Sequence, residues 1–179
     1  YTTLFRSTKV LFDTNQLLQR AKSEEEILSQ TASQLMKLLN RSLIVYPEQN
    51  GGLGSEQIFS VDGETAQNIF SAPEERDAAN WTFANKKRSG AGTDSYPDAK
   101  GLYLALRTGG GVFGVIGIDL SEKPLDAFEN SVLLSILGEG ALAIENRRNA
   151  LEKEQATVQA KNEELRANLL RTISHDLRT

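Results

Sequence analysis

Leucines recur at every seventh position near the start of the chain and form an apolar stripe on a helix. The stripe consists of Leu4, Leu11 and Leu18, with Val10, Leu17 and Ala21 beside them. This spacing predicts an amphipathic helix over residues 3–22. In the sequence SEEE that follows, Ser23 is placed to cap a second helix, and Glu26 is placed to reach back to the cap's amide. Apolar residues continue at helical spacing to about Asn40, where we expect this helix to end.

Short runs of strand-forming residues predict a sheet. Residues 42–47 (SLIVYP) and 58–61 (IFSV) lie on either side of a glycine-rich loop. In residues 101–108 (GLYLALRT), leucine alternates with other residues, which places Leu102, Leu104 and Leu106 on one face. The glycines at 109–111 then predict a turn, and residues 112–120 (VFGVIGIDL) return as a second strand. The clearest β-structure is therefore an antiparallel hairpin.

Two further helices are predicted by composition and spacing. Residues 73–85 begin with proline and acidic side chains, both of which favour the first turn of a helix, and residues 85–101 have the composition of a loop. From about residue 125 to the end, apolar residues recur every seventh position, which indicates a long helix that pairs with another helix. These residues are Leu137, Ile144, Leu151, Val158 and Leu165. The positions four residues later are mostly polar, so we expect a marginal coiled coil. The predicted fold is α+β: a central antiparallel sheet flanked by helices, with a long C-terminal helix.

Composition narrows the classes of function. The 179 residues carry a formal net charge of −4, so a nucleic-acid partner is not expected. The chain has no cysteine and a single histidine, so we expect no metal site and no cysteine-dependent chemistry. No apolar run approaches the length of about 18–20 residues that crosses a bilayer. The start lacks an initiator methionine and a signal peptide, so we expect a segment of a longer protein.

The last nine residues, RTISHDLRT, contain the histidine. Neutral imidazole is a nucleophile near neutral pH, and the adjacent carboxylate of Asp176 is placed to orient His175 or to act as a base. By spacing alone, an ordinary exposed helix histidine remains the alternative.

The sequence SHDLRT resembles the H-box of sensor histidine kinases. The resemblance implies that His175 accepts a phosphoryl group from ATP and that Asp176 assists as acid or base. It also implies that Thr179 positions water for dephosphorylation of a response regulator. The family's ATP-binding domain and Mg²⁺ ligands do not occur in these 179 residues. We therefore expect no cofactor in this segment, ATP and Mg²⁺ in the whole kinase, and no autophosphorylation by the segment alone.

The region before the H-box resembles a GAF domain, a sensory module. Residues 78–120 look like the GAF region of KdpD-type kinases, a family of bacterial potassium-responsive sensors. The implied function is signal transmission along the helix to His175 in a potassium or osmotic response. The implied partners are a second copy, bound through the N- and C-terminal helices, and a response regulator. The implied location is the cytoplasmic side of the inner membrane, with membrane contact only through parts outside this segment. The implied divisions are an N-terminal linker or dimerisation helix at 1–22, the GAF-like domain at 23–130, the terminal GAF helix and signalling helix at 131–168, and the truncated H-box at 169–179.

Four residues could line a ligand pocket over the sheet. These are Trp81, Asp94, Tyr96 and Tyr103. The alternative is that Trp81 and Tyr103 are core packing and that the loop simply covers the sheet. The lack of cysteine argues against a bilin, and the lone histidine argues against haem. Two alternatives to signal transmission stay open. One is a small-molecule-binding module whose ligand is the input, and the other is a purely structural dimerisation spacer.

Overall fold

A computed structural model describes Thr2–Arg178, with the side chains of residues 2–5 and 7 left out of the description. Residues up to Ile144 form one compact unit, and residues from Glu145 onward form a second, helical one. Five helices and six strands are present in the described residues. In chain order they are α1 (Thr2–Arg20), α2 (Glu24–Leu39), β1 (Leu43–Gln49), β2 (Gly52–Leu53), β3 (Gln57–Phe59), α3 (Gly63–Phe70), α4 (Pro73–Asn85), β4 (Ser89–Gly90), β5 (Gly101–Thr108), β6 (Gly111–Asp119) and α5 (Ala127–Arg178).

The strands form one antiparallel sheet in the order β2-β1-β6-β5-β4, and β3 also pairs with β1. The predicted hairpin is its centre: β5 pairs with β6, with Leu104 opposite Ile116. The register shifts between Leu106 and Arg107, which leaves one extra residue on β6 and bends the hairpin there. The predicted α+β fold, with its central antiparallel sheet and long C-terminal helix, is confirmed.

Each face of the sheet carries its own apolar core. The first core joins α1, α2 and α5 to one face and includes Leu102, Leu104 and Leu106, as their alternation predicts. The second core joins α3 and α4 to the other face, where Tyr103 lies between those leucines in sequence. A strand's side chains alternate between the two faces, so β5 contributes to both cores.

The predicted cap at the start of α2 is present with one difference. The Ser23 hydroxyl accepts a hydrogen bond from the Glu26 amide at 3.1 Å. The Glu26 carboxylate accepts from the amide of Lys22 at 2.7 Å, and so binds the residue before the cap. The helix ends at Leu39, with Asn40 left-handed at φ 51°, a conformation that asparagine tolerates.

Three elements were not predicted from the sequence: β2, α3 and β4. The segment expected to be a loop after residue 47 instead turns back at Asn50 and Gly51, both of which have positive φ, to form β2. Helix α5 begins at Ala127, and the compact unit extends along it to Ile144. The expected division into a GAF-like domain at 23–130 and a terminal and signalling helix at 131–168 stays a prediction.

Among the described residues, one helix is long and apolar enough to cross a membrane by length and composition. This helix is α5, which contains an 18-residue window of mean hydropathy 1.3. The sequence predicted no apolar run of that length. A helix in the core of a folded domain has the same length and composition. Six residues of α5 are buried in the domain: Leu133, Ile136, Leu137, Gly140, Ala141 and Ile144.

Candidate functional site

The heptad stripe of α5 divides into a buried and an exposed part. Leu137 and Ile144 lie in the first core, at 5% and 0% exposure. Leu151, Val158 and Leu165 are 44%, 54% and 60% exposed. The first part of the stripe therefore fixes α5 to the sheet. The second part carries three large apolar side chains, spaced seven residues apart. In a single copy of the chain these side chains face solvent.

His175 lies near the end of this helix with its imidazole in solvent. The side chains of His175 and Asp176 are 83% and 78% exposed. Their Nδ1 and Oδ1 atoms are 4.0 Å apart, which is too far for a hydrogen bond. The imidazole is thus accessible to a second molecule, and its orientation is not fixed by this carboxylate. Thr179, the third residue predicted for this site, lies outside the described residues.

The four residues predicted to line a pocket occupy different environments. Tyr103 is fully buried in the second core, and Trp81 is half-buried on α4. Asp94 and Tyr96 lie in the loop between β4 and β5, where both are exposed. The Tyr103 environment matches core packing, and a ligand role for these four residues stays a prediction.

Tyr103 instead contacts a buried carboxylate that the sequence did not single out. The Tyr103 hydroxyl donates a 2.5 Å hydrogen bond to Oε2 of Glu75, which is 2% exposed. The amide of Lys100 donates to Glu75 Oε1 at 2.7 Å, and the amide of Gly101 donates to Oε2 at 3.1 Å. These four residues are called the Glu75 cluster below. Burial, followed by the hydrogen bond and charge of Glu75, raises the pKa of the Tyr103 phenol.

A second tyrosine of the same core lies close to the cluster. Burial raises the pKa of Tyr46 to about 12; the charge of Glu56 adds to the shift, and Arg76 opposes it. The Arg76 guanidinium lies 4.8 Å from the centre of the Tyr46 ring, within the range of a cation–π contact. Arg76 also donates to the carbonyls of Leu53 and Gly54, so it ties α4 to β2 and the residue after it.

Helix α4 is attached to the sheet through both polar and apolar contacts. Its buried side chains are small or polar: Glu75, Ala78, Ala79 and Thr82. The hydroxyls of Thr82 and Ser89 lie 2.7 Å apart, and Ser89 donates to the carbonyl of Ala78. Ala78 and Ala79 bury little apolar area, and Phe83 adds a partly buried aromatic contact, so hydrogen bonds and apolar contacts together set the position of this helix. Within the described part of the chain, no group of three His, Asp or Glu side chains could hold a metal ion.

Solved structures and curated relatives agree on the class of protein. No protein-family model matches the chain. The GAF domain of the potassium sensor histidine kinase KdpD from Escherichia coli covers 84% of this chain and 99% of its own, at 20% identity and a TM-score of 0.60. The GAF domain of an Acinetobacter phosphoenolpyruvate-protein phosphotransferase covers 79% and 94%, at 12% identity and a TM-score of 0.55. The chain therefore has the GAF fold.

The sequence relatives are more specific. The sensor protein KdpD of Clostridium acetobutylicum is 33% identical over 175 residues, which is 97% of this chain and 19% of the relative. The sensor protein KdpD of Escherichia coli K12 is 27% identical over 96% of this chain and 19% of the relative. The chain is homologous to a segment of KdpD sensor proteins, and it spans about a fifth of their length. The predicted resemblance to the GAF region of these proteins is confirmed.

Proposed function

We propose that this chain is the sensory and signal-transmitting segment of a two-component sensor histidine kinase of the KdpD type. The homology over nearly the whole chain supports this proposal. The observation that carries it is the course of α5. This helix is continuous from the core residues Leu137 and Ile144, through the exposed stripe, to the solvent-exposed imidazole of His175. A change in packing at the sheet would alter the crossing or register of the stripe and thereby the position of His175.

In this proposal the phosphoryl chemistry takes place at the end of α5. His175 accepts the phosphoryl group, with the free electron pair of its neutral ring as nucleophile. Asp176 acts as acid or base, and Thr179 positions the water that dephosphorylates the response regulator. ATP and Mg²⁺ are held by an ATP-binding domain outside these 179 residues. A response regulator is the second substrate, and the segment works on the cytoplasmic side of the inner membrane.

We further propose that the exposed stripe pairs with a second copy of the chain. Leu151, Val158 and Leu165 repeat at the period of a coiled coil, and Leu169 and Ile173 continue the apolar surface toward His175. The polar residues between them make such a pair marginal, which suits a helix that must change its packing at low cost. In the N-terminal helix, Leu18 is buried in the domain's own core, so α1 would contribute to a dimer through other positions. Among the α1 side chains that the structure describes, Phe12 is a large apolar one that is exposed.

A chimeric kinase tests the phosphoacceptor. The segment replaces its counterpart in the Escherichia coli KdpD kinase, and autophosphorylation from labelled ATP is measured with and without His175→Ala. We expect labelling in the parent chimera and none in the variant, while Thr172→Ala, an exposed helix position one turn earlier, labels normally. Normal labelling of His175→Ala would refute the assignment.

Transmission through α5 has a separate test in the same chimera. Leu151→Pro and Leu151→Ala remove the same side chain, but only proline breaks the helix, at a cost of roughly 3 kcal/mol or more. We expect Leu151→Pro to abolish the response of autophosphorylation to the stimulus, and Leu151→Ala to reduce it partially. Unchanged regulation in Leu151→Pro would exclude signalling along the helix and favour a spacer.

A further inference from the structure

The donors of the Glu75 cluster form a receptor for a carboxylate group. Two consecutive backbone amides, of Lys100 and Gly101, and the hydroxyl of Tyr103 converge on the two oxygens of one buried side chain. Hydrogen bonds of this kind to an ionised acceptor are about twice as strong as neutral ones. The receptor belongs to the start of β5, whereas the carboxylate it holds comes from α4.

The backbone around this receptor leaves room for the carboxylate and little else. A Cβ atom at position 101 would lie 2.9 Å from the Tyr103 hydroxyl oxygen and 3.0 Å from Glu75 Oε2. A Cβ atom at position 117, on the neighbouring strand, would overlap the Tyr103 ring. Glycine at 101 leaves the carboxylate its space, and glycine at 117 leaves the ring its space. The site is therefore shaped by two glycines as well as by three donors.

We propose that this corner is a binding site for a small organic carboxylate, with Glu75 as its built-in ligand. The tethered side chain fills the site and holds α4 against the sheet. A free carboxylate takes the same three hydrogen bonds when the Glu75 side chain is absent or withdrawn. The fully buried residues of α4 are otherwise small, and Phe83, in the last turns of the helix, is partly buried against the second core. An exchange of this kind therefore loosens the first turn of α4 and leaves the Phe83 contact in place. The proposal does not depend on the kinase assignment, because the isolated 179-residue chain tests it.

The substitution Glu75→Ala creates the vacancy in which a free anion can be detected. It removes a methylene and the carboxylate, and acetate carries a group of nearly the same size. We expect acetate and formate to raise the melting temperature of Glu75→Ala saturably, at constant ionic strength. For a Kd on the order of 10 mM, 100 mM acetate gives a rise of about 2–5 °C. Chloride, and pivalate with its bulky tert-butyl group, should give no specific rise.

Two controls separate this site from general effects of anions. The wild-type chain should show no acetate-specific shift, because its own tethered carboxylate occupies the donors. In the double variant Glu75→Ala/Tyr103→Phe, the loss of one donor should weaken acetate binding by roughly tenfold. Equal acetate effects on wild type and Glu75→Ala, or the same acetate affinity with and without the Tyr103 hydroxyl, would overturn the proposal.

If Glu75→Ala does not fold in chloride, the readout becomes the recovery of helical structure in acetate, measured by circular dichroism at equal ionic strength. Recovery in acetate and formate but not in pivalate supports the site. Failure to fold in all four salts counts against it, since the vacancy would then not accept a free carboxylate.

Discussion

Arg41 and Glu129 form an ion pair that joins the end of α2 to the first turn of α5. The Nε and Oε2 atoms are 3.1 Å apart, and the two side chains are only 7% and 14% exposed. The same guanidinium donates to the carbonyls of Asp119, Lys123 and Pro124. One side chain thus fixes the whole connection between β6 and α5, the helix that leads to His175.

Replacing Arg41 should destabilise the domain strongly. Arg41→Ala removes a donor from three carbonyls and leaves Glu129 with the Asp126 amide but without its cation. Breaking a buried pair from one side costs about 3–5 kcal/mol. Arg41→Lys should recover only part of this, because an ammonium group cannot reproduce the planar fork of donors. Urea unfolding of the three proteins measures the effect.

Arg88 supplies the matched control for Arg41. It also reaches α5, with a 3.1 Å hydrogen bond to Asn130, but it is exposed. Arg88→Ala should change the free energy of unfolding by no more than about 0.5 kcal/mol. Equal effects of the Arg41 and Arg88 substitutions would show that the buried contacts of Arg41 add no more to the free energy of unfolding than a surface contact does.

Tyr103→Phe isolates the hydroxyl of the Glu75 cluster. It keeps the ring that packs against Gly117 and removes one donor from a buried carboxylate, for a loss of about 1.5–3 kcal/mol. Tyr96→Phe is the control, because Tyr96 is 38% exposed and should show little change. Guanidinium unfolding of both variants checks this, and a neutral Tyr103→Phe would mean that water replaces the hydroxyl.

Alkaline pH should weaken the fold through the same core. An unfolded tyrosine has a pKa near 10, whereas Tyr46 in the domain has a pKa raised to about 12. The contribution of Tyr46 to the free energy of unfolding is complete below pH 10. It is lost as the pH rises toward 12, because only the unfolded chain releases the phenol proton in that interval. The loss is up to about 1.4 kcal/mol per pH unit for each such tyrosine.

Phenylalanine variants of the two buried tyrosines show which phenol causes the loss of stability at alkaline pH. Unfolding free energies at pH 9, 10 and 11 should fall less steeply in Tyr46→Phe than in the parent. Tyr103→Phe should behave in the same direction, since the pKa of Tyr103 is also raised by burial. Slopes identical to the parent in both variants would show that neither phenol stays protonated in the folded chain.

The sequence predicted those helices and strands that are marked by a pattern of neighbouring residues. The alternation of Leu102, Leu104 and Leu106 gave the correct face of β5, and the SEEE capping sequence gave the start of α2 within a residue. Two missed elements also had local signals. Asn50-Gly51 is a favoured hairpin turn, and Ala66, Ile69 and Phe70 have the spacing of one helix face in α3.

The Glu75 cluster could not be predicted in this way. Glu75 lies in an acidic first turn, where its charge suits the helix dipole and solvent exposure is the ordinary expectation. Its burial depends on donors that lie 25 to 28 residues later in the chain. A contact between distant segments leaves no periodic pattern in one sequence. For His175 the motif predicts a role, which stays a prediction, whereas its solvent exposure is a property of the folded helix that the motif does not give.

Two glycines of α5 should respond oppositely to the same substitution. A Cβ atom on Gly138 meets nothing within 4 Å, whereas a Cβ atom on Gly140 would lie 2.6 Å from Oγ1 of Thr31 on α2. Thr31 is fully buried and donates to the carbonyl of Ile27, so it has no space into which it could withdraw. Gly138→Ala should stabilise the chain by about 0.5–1 kcal/mol through helix propensity. Gly140→Ala should destabilise it by about 1–3 kcal/mol through overpacking.

A double-mutant cycle attributes the Gly140 effect to this one contact. In the Thr31→Ala background the hydroxyl and methyl that the new Cβ would meet are absent. Gly140→Ala should therefore cost less there, by about 1 kcal/mol or more of coupling, while Gly138→Ala should have the same effect in both backgrounds. Thermal unfolding of the six proteins measures all the terms. Equal costs of Gly140→Ala with and without Thr31 would mean that the packing of α5 on α2 is not set by this close approach.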